Sequence, residues 1–412
     1  MKSIKMTVGV KSDAYTLYKK FVKIKIIKEN KMNQKKLGFG LMRLPVLSAD
    51  PTDFDYAQLE QMVDLFIESG FTYFDTSYVY HNGGSEGAIR KTLVERYDRN
   101  RYTLASKLPA FFIADEAQAR TIFAEQLEKC GVEYFDYYLL HNLNKILYDG
   151  LNGKEGTVKT AHMFELMKEW KDTGKIRHIG FSYHDDAETL DRILSEHPEV
   201  EFVQIAFNYY DYNSQFVQAG PCYDVIRKHG RQVVVMEPVK GGMLASVPEK
   251  TAAAMESACP GMTPSSWAVR YAAGFDGVLT VLSGMSTLAQ VQDNVSYMKD
   301  FKPLSNAELK ILSNAVEAYH EAWPLKLATE DEMAGVTMHG VPFSAMLEAY
   351  NSCLIQPNPG FSCDNNYLKG WLAKTGLDIH GELPKQTVVL NSGRDITEEA
   401  YEVENWLIAH TF

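Results

Sequence analysis

The feature that most constrains this chain is a rhythm. Eight short, β-rich apolar runs alternate with eight longer amphipathic stretches between residues 37 and 299. The runs are 37–41, 73–75, 102–106, 137–140, 178–181, 202–206, 233–236 and 278–282. The helical stretches are 58–69, 86–97, 116–130, 161–173, 187–195, 223–228, 264–273 and 288–299. In the first of these, Leu59, Met62, Val63, Phe66 and Ile67 recur at helical spacing. Gly70, Gly131, Gly174 and Gly230 each follow a helical stretch, where a left-handed cap ends a helix. Strands joined through helices run parallel, their crossovers are right-handed, and eight such units close on themselves. The fold class is therefore read as α/β, a (β/α)8 TIM barrel. An open doubly wound sheet would want G-x-G-x-x-G straight after its first strand. Here Gly38-Phe39-Gly40-Leu41-Met42-Arg43 lacks the third glycine and does not lead into a helix.

A chain of 412 residues is long for one barrel alone. After residue 303 the rhythm changes to helices at 306–321, 343–351, 365–374 and 397–409, with a loop at 356–360. The expected division is a basic extension over 1–31, a barrel over 32–303 and a small, mainly helical C-terminal domain over 304–412. The extension holds nine Lys against Asp13 and Glu29, and is read as disordered, or as an upstream start ahead of Met32. The whole chain carries a formal net charge of -11, which argues against binding nucleic acid or an anionic membrane by bulk electrostatics. No run of about 18 apolar residues is present, so no membrane-spanning helix is expected. The five cysteines, at 130, 222, 259, 353 and 363, form no C-x-x-C pair. That fits a reducing cytoplasm.

Barrel enzymes carry their chemistry at the C-terminal ends of the strands. The second run ends on Asp75 with Tyr80 close behind, the third on Lys107 and the fourth on His141. Singly, each has an ordinary reading: a turn cap, a surface aromatic, a solvated lysine, a core histidine. Together on one rim they suit carbonyl reduction, in which negative charge develops on oxygen and a proton donor must meet it. Free tyrosine, with a pKa of about 10, is a reluctant acid. A buried ammonium beside it favours the ionised phenol. Asp75 would hold Lys107 in place, and His141 would orient the carbonyl.

The runs Phe74-Asp75-Thr76-Ser77-Tyr78-Val79-Tyr80, Gly84-Ser85-Glu86, Ser106-Lys107 and Leu140-His141 resemble the aldo-keto reductase family in order, spacing and strand placement, over roughly residues 36–300. The resemblance implies a nicotinamide cofactor, usually NADP(H), and a tetrad of Asp75, Tyr80, Lys107 and His141. It implies that Ser182 and Gln204 hold the nicotinamide carboxamide, although Tyr183 stands where many relatives have Asn. Met236 takes the place of an aromatic that stacks on the ring, and a thioether is polarisable enough to substitute. Met42, Arg43, Pro238, Gly241 and Gly242 fall where the cofactor passes, the glycine pair admitting its pyrophosphate. Gly284, Ser286 and Gln290 lie at the start of the last barrel helix, a natural phosphate site, and Asn294 matches an adenine contact. Relatives that strongly prefer NADP(H) place Lys or Arg near 284 and 290, so NAD(H) stays open.

The wording around Met42, Ser182 and Met285 is similar to a bacterial subgroup that often carries a C-terminal ferredoxin-like domain. The stretch 340–350 resembles the part following that domain's first cysteine cluster. A [4Fe–4S] cluster needs four thiolates, and only Cys353 and Cys363 occur beyond 303, so no iron–sulfur cluster is expected. No histidine spacing suggests another metal. Phe111, Phe112, Tyr148, Tyr209 and Tyr210 are candidate pocket aromatics that packing explains equally well, His184 follows the fifth run closely enough to border the pocket but reads first as a solvated loop histidine, and 143–159 reads as a candidate lid. The expected function is NAD(P)H-dependent reduction of an aldehyde or ketone, or its reverse, on a small molecule. The alternatives are a cofactor-binding redox sensor and an oxidoreductase served by an external electron-transfer partner.

Overall fold

The structure is a computed structural model and describes residues 35–357 and 366–410. The basic extension and Cys363 lie outside the described residues. Eight strands pair in parallel and in sequence order into a closed barrel. They are β1 (Leu37–Gly40), β2 (Tyr73–Asp75), β3 (Thr103–Leu108), β4 (Phe135–Leu143), β5 (Ile176–Tyr183), β6 (Phe202–Ala206), β7 (Gln232–Met236) and β8 (Val278–Gly284). β8 closes on β1, with Leu37 opposite Val281 and Gly40 opposite Gly284. Tyr73, Ala105, Leu139, Phe202, Val234 and Leu282 fill the interior as one apolar cluster. Period-two alternation then carries the inner face upward to Asp75, Lys107, His141, Ser182, Gln204 and Met236 at the rim. At two places the interior admits no side chain. A Cβ on Gly38 would lie 2.7 Å from Leu282, and one on Gly180 would lie 2.4 Å from the Phe202 ring.

The helices start and stop where local chemistry says they should. Asp55, Asp115, Asp186 and Thr287 cap the helices Tyr56–Glu68, Glu116–Cys130, Ala187–Glu196 and Leu288–Met298. All four expected stop glycines have positive φ, between 68° and 80°. Other boundaries differ from the sequence reading. The stretch 86–97 is a short helix Ser85–Ile89 running into a wider turn, Arg90–Val94. The stretch 223–228 begins earlier, as Ala219–Lys228. A helix Glu249–Ala258 between β7 and β8 was not expected, because its apolar face is thin. β4 runs on through His141 to Leu143, with a register irregularity after Leu140 and Asn142 at φ 61°.

Beyond residue 303 come the helices Asn306–Glu321, Phe343–Leu354, Leu368–Lys374 and Thr397–Ala409, and a small hairpin of Thr337–Met338 with Val341–Pro342 that the sequence reading missed. This segment packs over the loops that follow β5, β6 and β7. Tyr319 donates to the Met243 carbonyl at 2.9 Å, Gln356 to that of Lys240 at 2.9 Å, and Trp323 to the Tyr210 hydroxyl at 3.1 Å. Trp371 donates to the Phe216 carbonyl at 3.4 Å, and Lys374 pairs with Asp186. The C-terminal segment therefore sits on the same end of the barrel as the strand termini. No helix among the described residues is long and apolar enough to cross a membrane.

Candidate active site

The rim brings the four tetrad candidates together. Lys107 Nζ lies 2.5 Å from Asp75 Oδ1 and donates to the Thr76 carbonyl at 2.8 Å. Both side chains are sealed from solvent. Nζ stands 4.8 Å from the centroid of the half-buried Tyr80 ring. Burial alone would lower the Lys107 pKa, but the charges of Asp75 and Tyr80 and hydrogen bonds to both outweigh it and raise it. Burial pushes the Asp75 carboxyl up, against the pull of Lys107. The His141 ring meets Tyr80 edge-on with centroids 5.8 Å apart. Burial first, then Lys107 and His184, hold it well below the usual histidine range, so it is a neutral imidazole.

A buried frame sets these groups. Ser106 and Gln126 both donate to Glu86 Oε1 at 2.7 Å, and Gln126 also reaches the Lys107 carbonyl at 3.1 Å. Tyr138 donates to the Gln126 amide oxygen at 2.5 Å. Ser85 bonds Thr76 at 2.9 Å and the Leu41 carbonyl at 3.3 Å. The run Gly84-Ser85-Glu86 thus fastens the ends of β1, β2 and β3 to one another. His81, beside Tyr80, accepts the Leu44 N–H at 2.9 Å and meets the Pro51 carbonyl at 2.8 Å. It locks the loop after β1 to the turn that carries Tyr80.

The expected cofactor residues line the rim from β5 round to β1. Ser182 is buried and accepts the Asn142 N–H at 2.8 Å. Gln204 donates to the Met236 sulfur at 3.5 Å, and its buried Oε1 has no partner. The loop after β7 holds left-handed turns at Glu237, Lys240, Gly241 and Gly242, with Pro238 buried between them. Lys240 is spent on a buried pair with Asp211 at 2.6 Å. At the start of the helix Leu288–Met298 three N–H groups are engaged by neutral acceptors. Ser286 N donates to Gln290 at 2.7 Å, Leu288 N to Gln58 at 3.2 Å and Gln290 N to Thr287 at 3.2 Å. Asn294 is buried, its amide bonded to Ser283 at 3.1 Å and to Tyr297. Met42 is 46% exposed, and the Arg43 side chain lies along Gly284, 3.5 Å from where a Cβ would stand.

Of the candidate pocket aromatics, Phe111 lies 5.6 Å from His141 with Phe112 beside it, and both are exposed. Tyr148 and Tyr210 are buried elsewhere, against His197 and Ser352; Tyr209 is buried too. The stretch 143–159 folds on itself with the short helices Lys145–Asp149 and Thr157–Thr160, tied by Asp149 to Lys145 and Arg192. The sequence reading passed over Ser77, whose hydroxyl is 3.0 Å from His141 Nδ1. No periodicity points to it; its signal is only a small polar residue two places beyond Asp75. Among the described residues no group of three or more His, Cys, Asp or Glu is placed to hold a metal.

The sequence matches the aldo/keto reductase family over residues 36–317. An aldo-keto reductase of Mycolicibacterium vanbaalenii is 28% identical over 254 residues, 61% of this chain and 82% of that protein. A family 1 aldo-keto reductase of Rattus norvegicus is 27% identical over 179 residues, 39% of this chain and 51% of its own length. This chain thus spans about half the length of the first curated relatives it matches. The solved aldo-keto reductase of Klebsiella pneumoniae in complex with NADPH superposes with a TM-score of 0.53 at 21% identity, over 71% of this chain and 95% of that one. At that identity the likeness speaks for the fold.

Proposed function

The chain belongs to the aldo/keto reductase family, and from that premise we propose that it reduces an aldehyde or ketone to the alcohol, or runs the reverse, with Tyr80 as general acid. The observation that carries the reading is the sealed Lys107–Asp75 pair at 2.5 Å under the Tyr80 ring. The ammonium favours the phenolate left once Tyr80 has given its proton to the nascent alkoxide. Asp75 keeps Lys107 charged where both side chains are sealed from bulk solvent. The Ser77 hydroxyl accepts the Val79 N–H at 3.5 Å and lies 3.0 Å from His141 Nδ1, to which we assign it as donor. That leaves the imidazole proton on Nε2, ready to donate to the substrate carbonyl.

A nicotinamide, bound as NADP(H) or NAD(H), would supply the reducing equivalent to the carbonyl carbon. The residues fit such a group. The orphaned Oε1 of buried Gln204 is an acceptor awaiting a carboxamide N–H, with Ser182 beside it on the paired strand. Arg43 brings a cation against Gly284. Phosphates at the start of the last barrel helix would displace the neutral acceptors Gln58 and Gln290. The Klebsiella relative's complex with NADPH favours the phosphorylated cofactor. We read residues 32–303 as the barrel and 304–412 as a cluster-free accessory domain. The substrate is a small carbonyl compound or alcohol and the setting the cytoplasm.

The test is NADPH and NADH oxidation with 4-nitrobenzaldehyde by the wild type, Tyr80→Phe and Lys107→Met. Loss of about 10²-fold or more in kcat in both variants, with NADPH still quenching protein fluorescence, is expected. Near wild-type rates in either variant would overturn the acid assignment, and cofactor binding without turnover in the wild type would favour a sensor.

A further inference from the structure

At the end of β5 stands a polar side chain that the proposed chemistry does not use. His184 follows β5 two places beyond Ser182, so it leaves the same inner face of the strand. It is near enough to His141 to help keep that ring neutral. Its backbone N–H bonds the Leu143 carbonyl at 3.1 Å, but its imidazole makes no hydrogen bond among the described residues. Its ring contact is edge-on to Tyr367, centroids 5.8 Å apart, in the C-terminal segment. Tyr367 stacks on Phe216 from the loop after β6, and Trp371 stacks on the same ring. The neighbouring charges are all committed. Lys374 pairs with Asp185 and Asp186, Lys145 with Asp149, and Asp185 accepts the Lys145 N–H at 2.9 Å.

We propose that His184, walled by Tyr367 of the C-terminal segment, is a substrate-binding residue that hydrogen-bonds a neutral oxygen substituent next to the reacting carbonyl. A half-buried imidazole at the mouth is open to solvent, and a ligand hydroxyl that replaces that water keeps its hydrogen bond while burying the ring. Among the described residues no group is bonded to this imidazole to set its tautomer, so it can meet a donor or an acceptor. A hydroxyl is both. Burial pushes the His184 pKa down to about 4, so at working pH the ring carries no charge with which to hold a carboxylate. With Lys374 and Lys145 already paired, the favoured substrate is a hydroxylated carbonyl compound rather than a keto acid.

The inference rests on the proposed carbonyl chemistry, and two readouts separate them. The first is the ratio of kcat/KM for glyceraldehyde over propanal, which differ in their hydroxyls. His184→Leu is expected to lower that ratio about tenfold, and His184→Asn, which keeps a donor and an acceptor, to restore most of it. An unchanged ratio in His184→Leu overturns the inference even if Tyr80→Phe proves the reductase reading right. The second readout needs no turnover. With NADPH present, the His184 ring resonance, assigned by its loss in His184→Asn, is expected to shift with glycerol and not with propan-1-ol. That shift in a protein that reduces nothing would keep the subsite while the reductase reading fell. No differential shift overturns it.

Discussion

At the residue scale, the proposed chemistry turns on charges held out of reach of bulk solvent. Lys107 is bonded to Asp75 and Thr76 out of reach of bulk solvent, so in the proposed reaction its charge is weakly screened where it meets the phenol. In the proposed reaction His141 acts as a neutral imidazole, and a Ser77 hydroxyl that donates to Nδ1 would keep its proton on Nε2. Ser77→Ala should therefore lower kcat about 3–30-fold, with a smaller effect on KM. The His141 ring nitrogens should change from one tautomer to a mixture by ¹⁵N shifts, and Ser77→Thr should restore both. A single unchanged tautomer in Ser77→Ala would show that the hydroxyl is only packing. The residues that bear charge were legible in the sequence because they sit at strand ends in a recurring order. Ser77 was not, because its importance lies in a contact 64 residues away.

At the scale of elements, close approach matters more than propensity. β5 and β6 pair with Gly180 opposite Phe202, and the benzyl ring fills the space a methyl group would need. Gly180→Ala should destabilise the fold by about 1–3 kcal/mol through overpacking, read as a lower midpoint in urea unfolding. Phe202→Leu should relieve part of that loss, and additive effects of the two changes would refute the contact. Strand and helix order could be read from the hydrophobic period, since each half-buried element must show one face to the core. The boundaries moved where that period says little. β4 extends through His141 because its partner β5 continues alongside, with Leu143 opposite Tyr183. The helix Glu249–Ala258 and the hairpin at 337–342 bury too few side chains to print a pattern.

At the scale of the molecule, the C-terminal segment and the barrel share buried charge. A narrow polar seam between them is lined by Asp211, Lys240, Ser214, Glu348, Ser352 and Gln356, next to the Gly241–Gly242 pair proposed to admit the pyrophosphate. Burial raises the Glu348 pKa to about 7, opposed by hydrogen bonds from Ser214 and the Gln215 N–H. A raised carboxyl favours folding fully below its unfolded value of 4.5, and that contribution is lost as pH climbs through about 7. Glu348→Gln should thus be more stable than the wild type at pH 8, by roughly 1–3 kcal/mol, with the difference gone by pH 4. A constant difference across that range in thermal unfolding would refute the assignment. By itself the sequence determined the barrel, the order of its strands and the four groups at its rim. Those follow from periodicity and from where strands end, which are local properties of a chain. Only the tertiary structure decided that the segment after 303 lies over the loops following β5, β6 and β7. It also decided that Glu86 and Gln126 anchor Lys107, and that His184 is left facing the mouth beside Tyr367. These are pairings between residues far apart in the chain, chosen by shape and by the need to satisfy buried polar groups, and no local pattern records them.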